Sequence, residues 1–210
     1  MKKITAIKTQ RKNTERLSIF LDGKYDFGIA RVLAGSLRVG QLLGEEQISA
    51  LKASDELESA YLKAINFLSY RARSSAEIRE NLRGHEISEP CIEPTIERLE
   101  KQGFLNDKDF AETWVENRNT FRPRGKRALT YELRQKGIAH QVIESTLEEM
   151  VNEEELVYLA GRKKAKQLAK RNLEWQDFRK KLVGFLARRG FNYSVISPVL
   201  SKLWDEMQEK

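Results

Sequence analysis

Residues 103–138 read GFLNDKDFAETWVENRNTFRPRGKRALTYELRQKGI, and the fold follows from this stretch. Its order is turn, helix, basic loop, helix, glycine. Gly137 can take the left-handed conformation that ends a helix, so Ile138 opens the next helical pattern. Apolar residues continue beyond it, and Leu129, Leu133, Ile138, Ile143, Leu147 and Met150 are separated by 4, 5, 5, 4 and 3 positions. Ile78, Leu82, Ile87, Ile92, Ile96 and Leu99 repeat those steps, and so do Leu182, Leu186, Phe191, Ile196, Leu200 and Leu203. Offsets of 51 and 53 residues fit tandem units that each hold about three helices.

The expected fold is therefore mainly α: three tandem three-helix repeats in an elongated curved array, preceded by a small β-rich cap. Boundaries are expected at 1–53 for cap and connector, 54–105 for repeat one, 106–152 for repeat two and 153–210 for repeat three. Gly103, Phe104, Leu105, Asn106, Asp107, Phe110, Ala111, Trp114, Val115 and Arg118, followed by Gly125, Leu129, Leu133, Lys136, Gly137 and Ile138, resemble the signature of the RecX family. That resemblance spans roughly residues 57–206 and is densest in the middle repeat. It implies a regulator of the RecA recombinase, lodged in the groove of the RecA filament on single-stranded DNA. There it would damp ATPase, strand exchange and repressor cleavage, in recombination, repair and the SOS response. The first repeat departs from the pattern, since Glu86 stands where the others have Gly137 and Gly190, and its second turn is expected to close differently.

The cap reads as strands. Leu17, Ile19 and Leu21 alternate with polar residues, Asp22-Gly23 supplies a tight turn, and residues 4–9 offer a third strand. Such a sheet needs cover, expected from a short helix starting near Ile29. Lys2, Lys3, Lys8, Arg11 and Lys12 leave open whether the cap is purely structural or adds a nucleic-acid or protein contact. Helical character resumes at residues 45–51, and Ser54 is the expected N-cap of the next helix. Ser74 with Glu77 has the form of a capping box, and Ser88 with Pro90 opens a further helix. Ala139 occupies the position equivalent to Ser88 without a capping side chain.

Lysine and arginine total 38 against 31 aspartate and glutamate, and the net charge of +7 favours an anionic partner. Two clusters are the candidates. One is Arg118, Arg122, Arg124, Lys126 and Arg127, around a loop defined by Pro123 and Gly125, in a basic stretch that runs on to Arg134 and Lys136 against Glu132 alone. The other is Arg162, Lys163, Lys164, Lys166, Lys170 and Arg171, within a span of eleven positive and two negative residues from Arg162 to Arg189. An acidic run, Glu144, Glu148, Glu149, Glu153, Glu154 and Glu155, follows the first cluster and is a possible internal partner for it.

Other chemistry finds no footing. The lone cysteine, Cys91, has no disulfide partner, and neither His85 nor His140 belongs to a recognisable triad. Asp107 and Asp109 lack further ligands for a metal, Trp114 reads as core, and no phosphate-binding glycine loop occurs. The expectation is a monomeric, cytoplasmic binding protein without cofactor, metal or catalytic activity. No run reaches the roughly 18 apolar residues that span a bilayer. The alternative is a helix-turn-helix transcriptional regulator binding DNA directly, although the third helices are acidic.

Overall fold

The computed structural model of the protein describes residues 1–208. Its described residues form four strands, a 3-10 turn and nine helices, and divide into two compact units.

The first unit comprises residues 1–73 and 78–105. Strands β1 (Lys2–Thr9), β2 (Arg16–Leu21), β3 (Lys24–Ala30) and β4 (Leu42–Leu43) form an antiparallel sheet in the order β3-β2-β1-β4. Asp22 and Gly23, at φ 48° and 85°, close the expected tight turn. Two expectations for this region are corrected. The residues after Arg16 extend through Ala30 as strand, with only a 3-10 turn at Arg31–Leu33, so no helix starts near Ile29. β4 makes a fourth strand where the hairpin and a third were expected; two residues are too few to show an alternation.

The sheet is covered by α1 (Glu45–Leu68), which runs unbroken through Ser54. Helix α1 begins at Glu45 because Gln47 Oε1 accepts the Gly44 amide, which leaves Ser54 in mid-helix and not at the cap. Ile48 and Leu51 of α1 join Ile4, Ile19, Leu21, Phe27 and Ile29 under the sheet. One turn further on, Leu57, Ala60, Tyr61 and Ala64 pack with Ile78, Leu82 and Ile92 of the first three-helix repeat. A single rod thus serves both cores. Asp55 fastens the crossing: its carboxylate accepts from the Ala30 amide at 2.7 Å and from Arg16 Nη2 at 2.6 Å. α2 (Ser75–Gly84) and α3 (Glu89–Lys101) follow.

The second unit comprises residues 74–77 and 106 onward, and holds repeats two and three. These are α4 (Asp107–Phe121), α5 (Lys126–Gln135) and α6 (His140–Met150), then α7 (Glu153–Ala169), α8 (Trp175–Arg188) and α9 (Tyr193–Gln208). Every apolar position of the three-copy register is buried except Met150, which is half-buried. Asn106 caps α4 by accepting the amides of Lys108 and Asp109, and Asp107 accepts the Ser75 amide at 2.8 Å. Ser74 and Glu77 form the expected box, with Ser74 Oγ accepting from the Glu77 amide and the carboxylate accepting from the Ser74 amide. Ala139 is no anomaly. Its backbone (φ −62°, ψ 143°) matches that of Ser88 (−63°, 142°), and neither uses a side-chain cap, so the position selects an extended backbone rather than an oxygen.

The three second turns close alike. Ile87, Ile138 and Phe191 each donate their amide to the carbonyl five residues back, and Glu86, Gly137 and Gly190 all have positive φ. The expectation of a different closure at Glu86 is therefore corrected. What separates the sites is crowding: a Cβ on Gly137 would overlap Ala76, and one on Gly190 would overlap Ala128, whereas Glu86 is exposed.

Gly190→Ala is expected to cost at least about 1–2 kcal/mol from the left-handed backbone alone, with the overlap added. Glu86→Gly should change stability by less than about 1 kcal/mol. Leu133→Ala and Leu186→Ala should each cost about 2–5 kcal/mol. Denaturant midpoints check all four, and an unchanged midpoint for Leu133→Ala would contradict the repeat register.

Candidate functional site

Within the second unit, repeats two and three meet backbone to backbone. The Gly125 amide donates to the Arg189 carbonyl at 3.0 Å, and a Cβ on Gly125 would overlap the Gly190 carbonyl. The Ser74 hydroxyl makes the equivalent contact to the Lys136 carbonyl at 2.6 Å. Gly125 itself offers α5 no capping side chain, and Glu153 supplies it from α7 by accepting the Lys126 amide at 2.8 Å.

This approach brings the start of α5 beside the end of α8 and opens a cleft of about 640 Å³ between them. Its walls are Arg124, Arg127, Arg134 and Arg188, with Tyr131, and its floor is small: Ala128, Thr130, Ala187 and Gly190. No carboxylate lines it. Arg127, Tyr131 and Arg134 lie at i, i+4 and i+7 on α5, hence on one face, and Tyr131 is 65% exposed. Positive charge is dense here. Burial holds the Arg189 guanidinium below its ordinary pKa, and repulsion from Arg124 and then Arg122 adds to the effect; its Nη1 donates to the Pro123 carbonyl at 3.1 Å.

Part of the first basic cluster is already engaged. Glu132 Oε2 accepts from both Trp114 Nε1 and Arg118 Nε at 2.8 Å, while Oε1 pairs with Arg124 Nη1 at 2.8 Å. Arg118 also lies 4.6 Å from the Trp114 ring centroid. Trp114 is thus core on one face, stacked on Phe110, and a hydrogen-bond donor at its rim. Arg122 and Arg127 are exposed and make no ion pair among the described residues. The acidic run does not neutralise the cleft: Glu144 faces His140, Glu149 faces Lys108, and Glu153 caps α5.

The second cluster has a different setting. Arg162, Lys163 and Lys166 are exposed on α7, and Lys170 and Arg171 follow its end. Arg162 approaches Glu206 at 3.7 Å, and Lys164 Nζ lies 5.7 Å from the Phe185 ring centroid. Cations at a helix C-terminus offset its dipole, so Lys166 and Lys170 have a local use. The structure brings none of this cluster into the arginine cleft, whereas Arg124 and Arg127 of the first cluster line it. Tyr131, Arg134 and Arg188 complete the cleft; charge counting included Arg134 and Arg188 in the two basic stretches without singling them out, and Tyr131 was no candidate. The one-face spacing on α5 links Tyr131 to Arg127 and Arg134, and Arg188 joins them through the fold.

Glu132→Ala should cost about 1–3 kcal/mol, since it strands the indole N–H and two guanidiniums together. Denaturation followed by Trp fluorescence measures it, and a loss below about 0.5 kcal/mol would show that the network adds nothing beyond an ordinary surface substitution.

Comparison with known proteins follows the same architecture. Four family models match: the regulatory protein RecX N-terminal domain over residues 2–43, and the first, second and third three-helix domains of RecX over 60–99, 106–147 and 152–200. The regulatory protein RecX of Bacillus subtilis (strain 168) is 35% identical over 210 residues, covering 98% of this chain and 79% of the relative. That of Listeria monocytogenes serovar 1/2a (strain EGD-e) is 33% identical over 209 residues, covering 98% and 77%. Among solved structures, a crystal structure of regulatory protein RecX aligns over 95% of this chain and 98% of its own, with TM-score 0.76 and 28% identity. RecX from Lactobacillus salivarius aligns over 71% and 97%, with TM-score 0.66 and 28% identity.

Proposed function

The chain belongs to the RecX family of regulatory proteins, and on that premise we propose that it binds the RecA filament on single-stranded DNA and restrains RecA activity in recombination, repair and the SOS response. The observation that carries this reading is the cleft between α5 and the end of α8, where four arginines converge without a lining carboxylate. Solvent-accessible guanidiniums around a small-residue floor suit an extended anionic partner, because phosphates or carboxylates can approach the backbone and be held in bidentate fashion.

The face on α7 is the secondary contact in this proposal. Its exposed Lys163, Lys166 and Lys170 steer association more than they fix a pose. Direct recognition of duplex DNA by helix-turn-helix units is the weaker reading: α6, which would serve as recognition helix in repeat two, carries exposed Glu144, Glu148 and Glu149.

Two variant sets test the assignment. Arg127→Glu with Arg134→Glu and Arg188→Glu should weaken binding to preformed RecA filaments by about tenfold or more, with matching loss of ATPase inhibition. Helix content should be unchanged, since exposed charges contribute little to folding. Lys163→Glu with Lys166→Glu and Lys170→Glu should reduce chiefly the association rate. If the strand is touched directly, log affinity should fall with log salt by about 0.7 per phosphate neutralised, less steeply in the first set. Unaltered filament binding by the first set would remove the cleft from the interface.

A further inference from the structure

The sheet of the first unit has one covered and one open face. Ile4, Ile19, Leu21, Phe27 and Ile29 point under α1. Cross-strand partners on the opposite face are Ala6, Phe20 and Tyr25 in one row and Lys8, Ser18 and Gly28 in the next. Phe20 and Tyr25 stand edge to face with centroids 6.0 Å apart, and Lys8 Nζ lies 5.1 Å from the Phe20 centroid. Tyr25 is 59% exposed. A soluble surface gains nothing by itself from presenting an aromatic pair beside a lysine.

The second row packs against its own neighbours and leaves the aromatic row as the exposed part of the face. Ser18 and Gly28 carry little side chain, and neighbouring side chains fill the space over Gly28: a Cβ there would lie 2.9 Å from Gln10 Nε2, 3.4 Å from Arg16 Nη2, which Asp55 holds, and 3.6 Å from the Tyr25 hydroxyl. Charge around the face is one-sided. Residues 1–30 hold seven Lys and Arg against three Asp and Glu. Two of the three are occupied, Asp22 by the Lys3 amide and Asp26 by Lys2 and Lys52.

We propose that this open sheet face is a second, independent site for single-stranded nucleic acid, with bases stacked on Phe20 and Tyr25 and the adjoining phosphate held by Lys8. The chemistry matches the occupant. Unpaired bases expose π-faces that stack on aromatic rings of a sheet without regard to sequence, and the flanking cation pairs with the backbone. A duplex hides those faces, so it is a poor ligand. The inference does not depend on the filament reading, because the residues belong to the first unit and the arginine cleft to the second.

The test uses the full chain carrying both sets of reversals, at Arg127, Arg134 and Arg188 and at Lys163, Lys166 and Lys170, so that the sheet is read without the cleft or the α7 face. Fluorescence anisotropy with oligodeoxythymidine of about twelve nucleotides should detect binding that Tyr25→Ala with Lys8→Glu weakens about fivefold or more. Tyr25→Phe should retain it, and an abasic oligomer of the same length should be insensitive to Tyr25→Ala. Crosslinking to a bromodeoxyuridine oligomer should map to Phe20 or Tyr25. Absence of binding in this background, equal affinity for Tyr25→Ala, or crosslinks confined to other segments would overturn the proposal. So would lost RecA association with unchanged oligonucleotide affinity, which would assign the face to a protein.

Discussion

The contact on which the second unit depends is the meeting of the Gly125 and Gly190 backbones. Neither residue leaves room for a side chain, since a Cβ at one would strike the carbonyl of the other, and a Cβ at the other would strike Ala128. The Gly125 amide spends its hydrogen bond across this joint, on Arg189. Van der Waals contact between backbones fixes the end of α8 against the start of α5 more tightly than side-chain packing could. Everything about the arginine cleft follows from that distance. With the two glycines in contact, Arg188 lines the same cleft as Arg127 and Arg134.

Bringing like charges together carries an electrostatic cost, and the structure shows how it is distributed. Glu132 absorbs Arg118 and Arg124 and gives Trp114 its acceptor. Arg189 leans on a carbonyl. Arg127, Arg134 and Arg188 receive no carboxylate from the cleft walls. In the acidic run, Glu144, Glu149 and Glu153 are engaged elsewhere, by His140, Lys108 and the Lys126 amide. Charge left unpaired in a concave site is what an anionic partner requires.

Much of the architecture was legible in the sequence because burial obeys spacing. The steps shared by Leu129, Ile78 and Leu182 and their successors are the steps of the core, and Met150 alone is only half-buried. Local grammar was less dependable. Ser54 looks like a cap but sits inside α1, whose start depends on Gln47 reaching back to Gly44. Glu86 lacks the glycine of its counterparts yet adopts the same left-handed turn, because nothing crowds it. The cleft was the least legible feature. Its arginines lie on helices of different repeats, and charge counting weighted the long run on α7 instead, where cations are many but dispersed. Likewise, the period-two pattern marked the strands, while the pairing of Phe20 with Tyr25 needed the register.

The central claim is that the joint of repeats two and three presents the anionic partner's binding face. Backbone hydrogen exchange of the full chain, with and without RecA filaments on single-stranded DNA, tests it most directly. Protection is predicted along α5 and through residues 187–190, stronger than any on residues 162–171. Protection confined to α7, with exchange in α5 and the Gly190 turn unchanged by the filament, would contradict it.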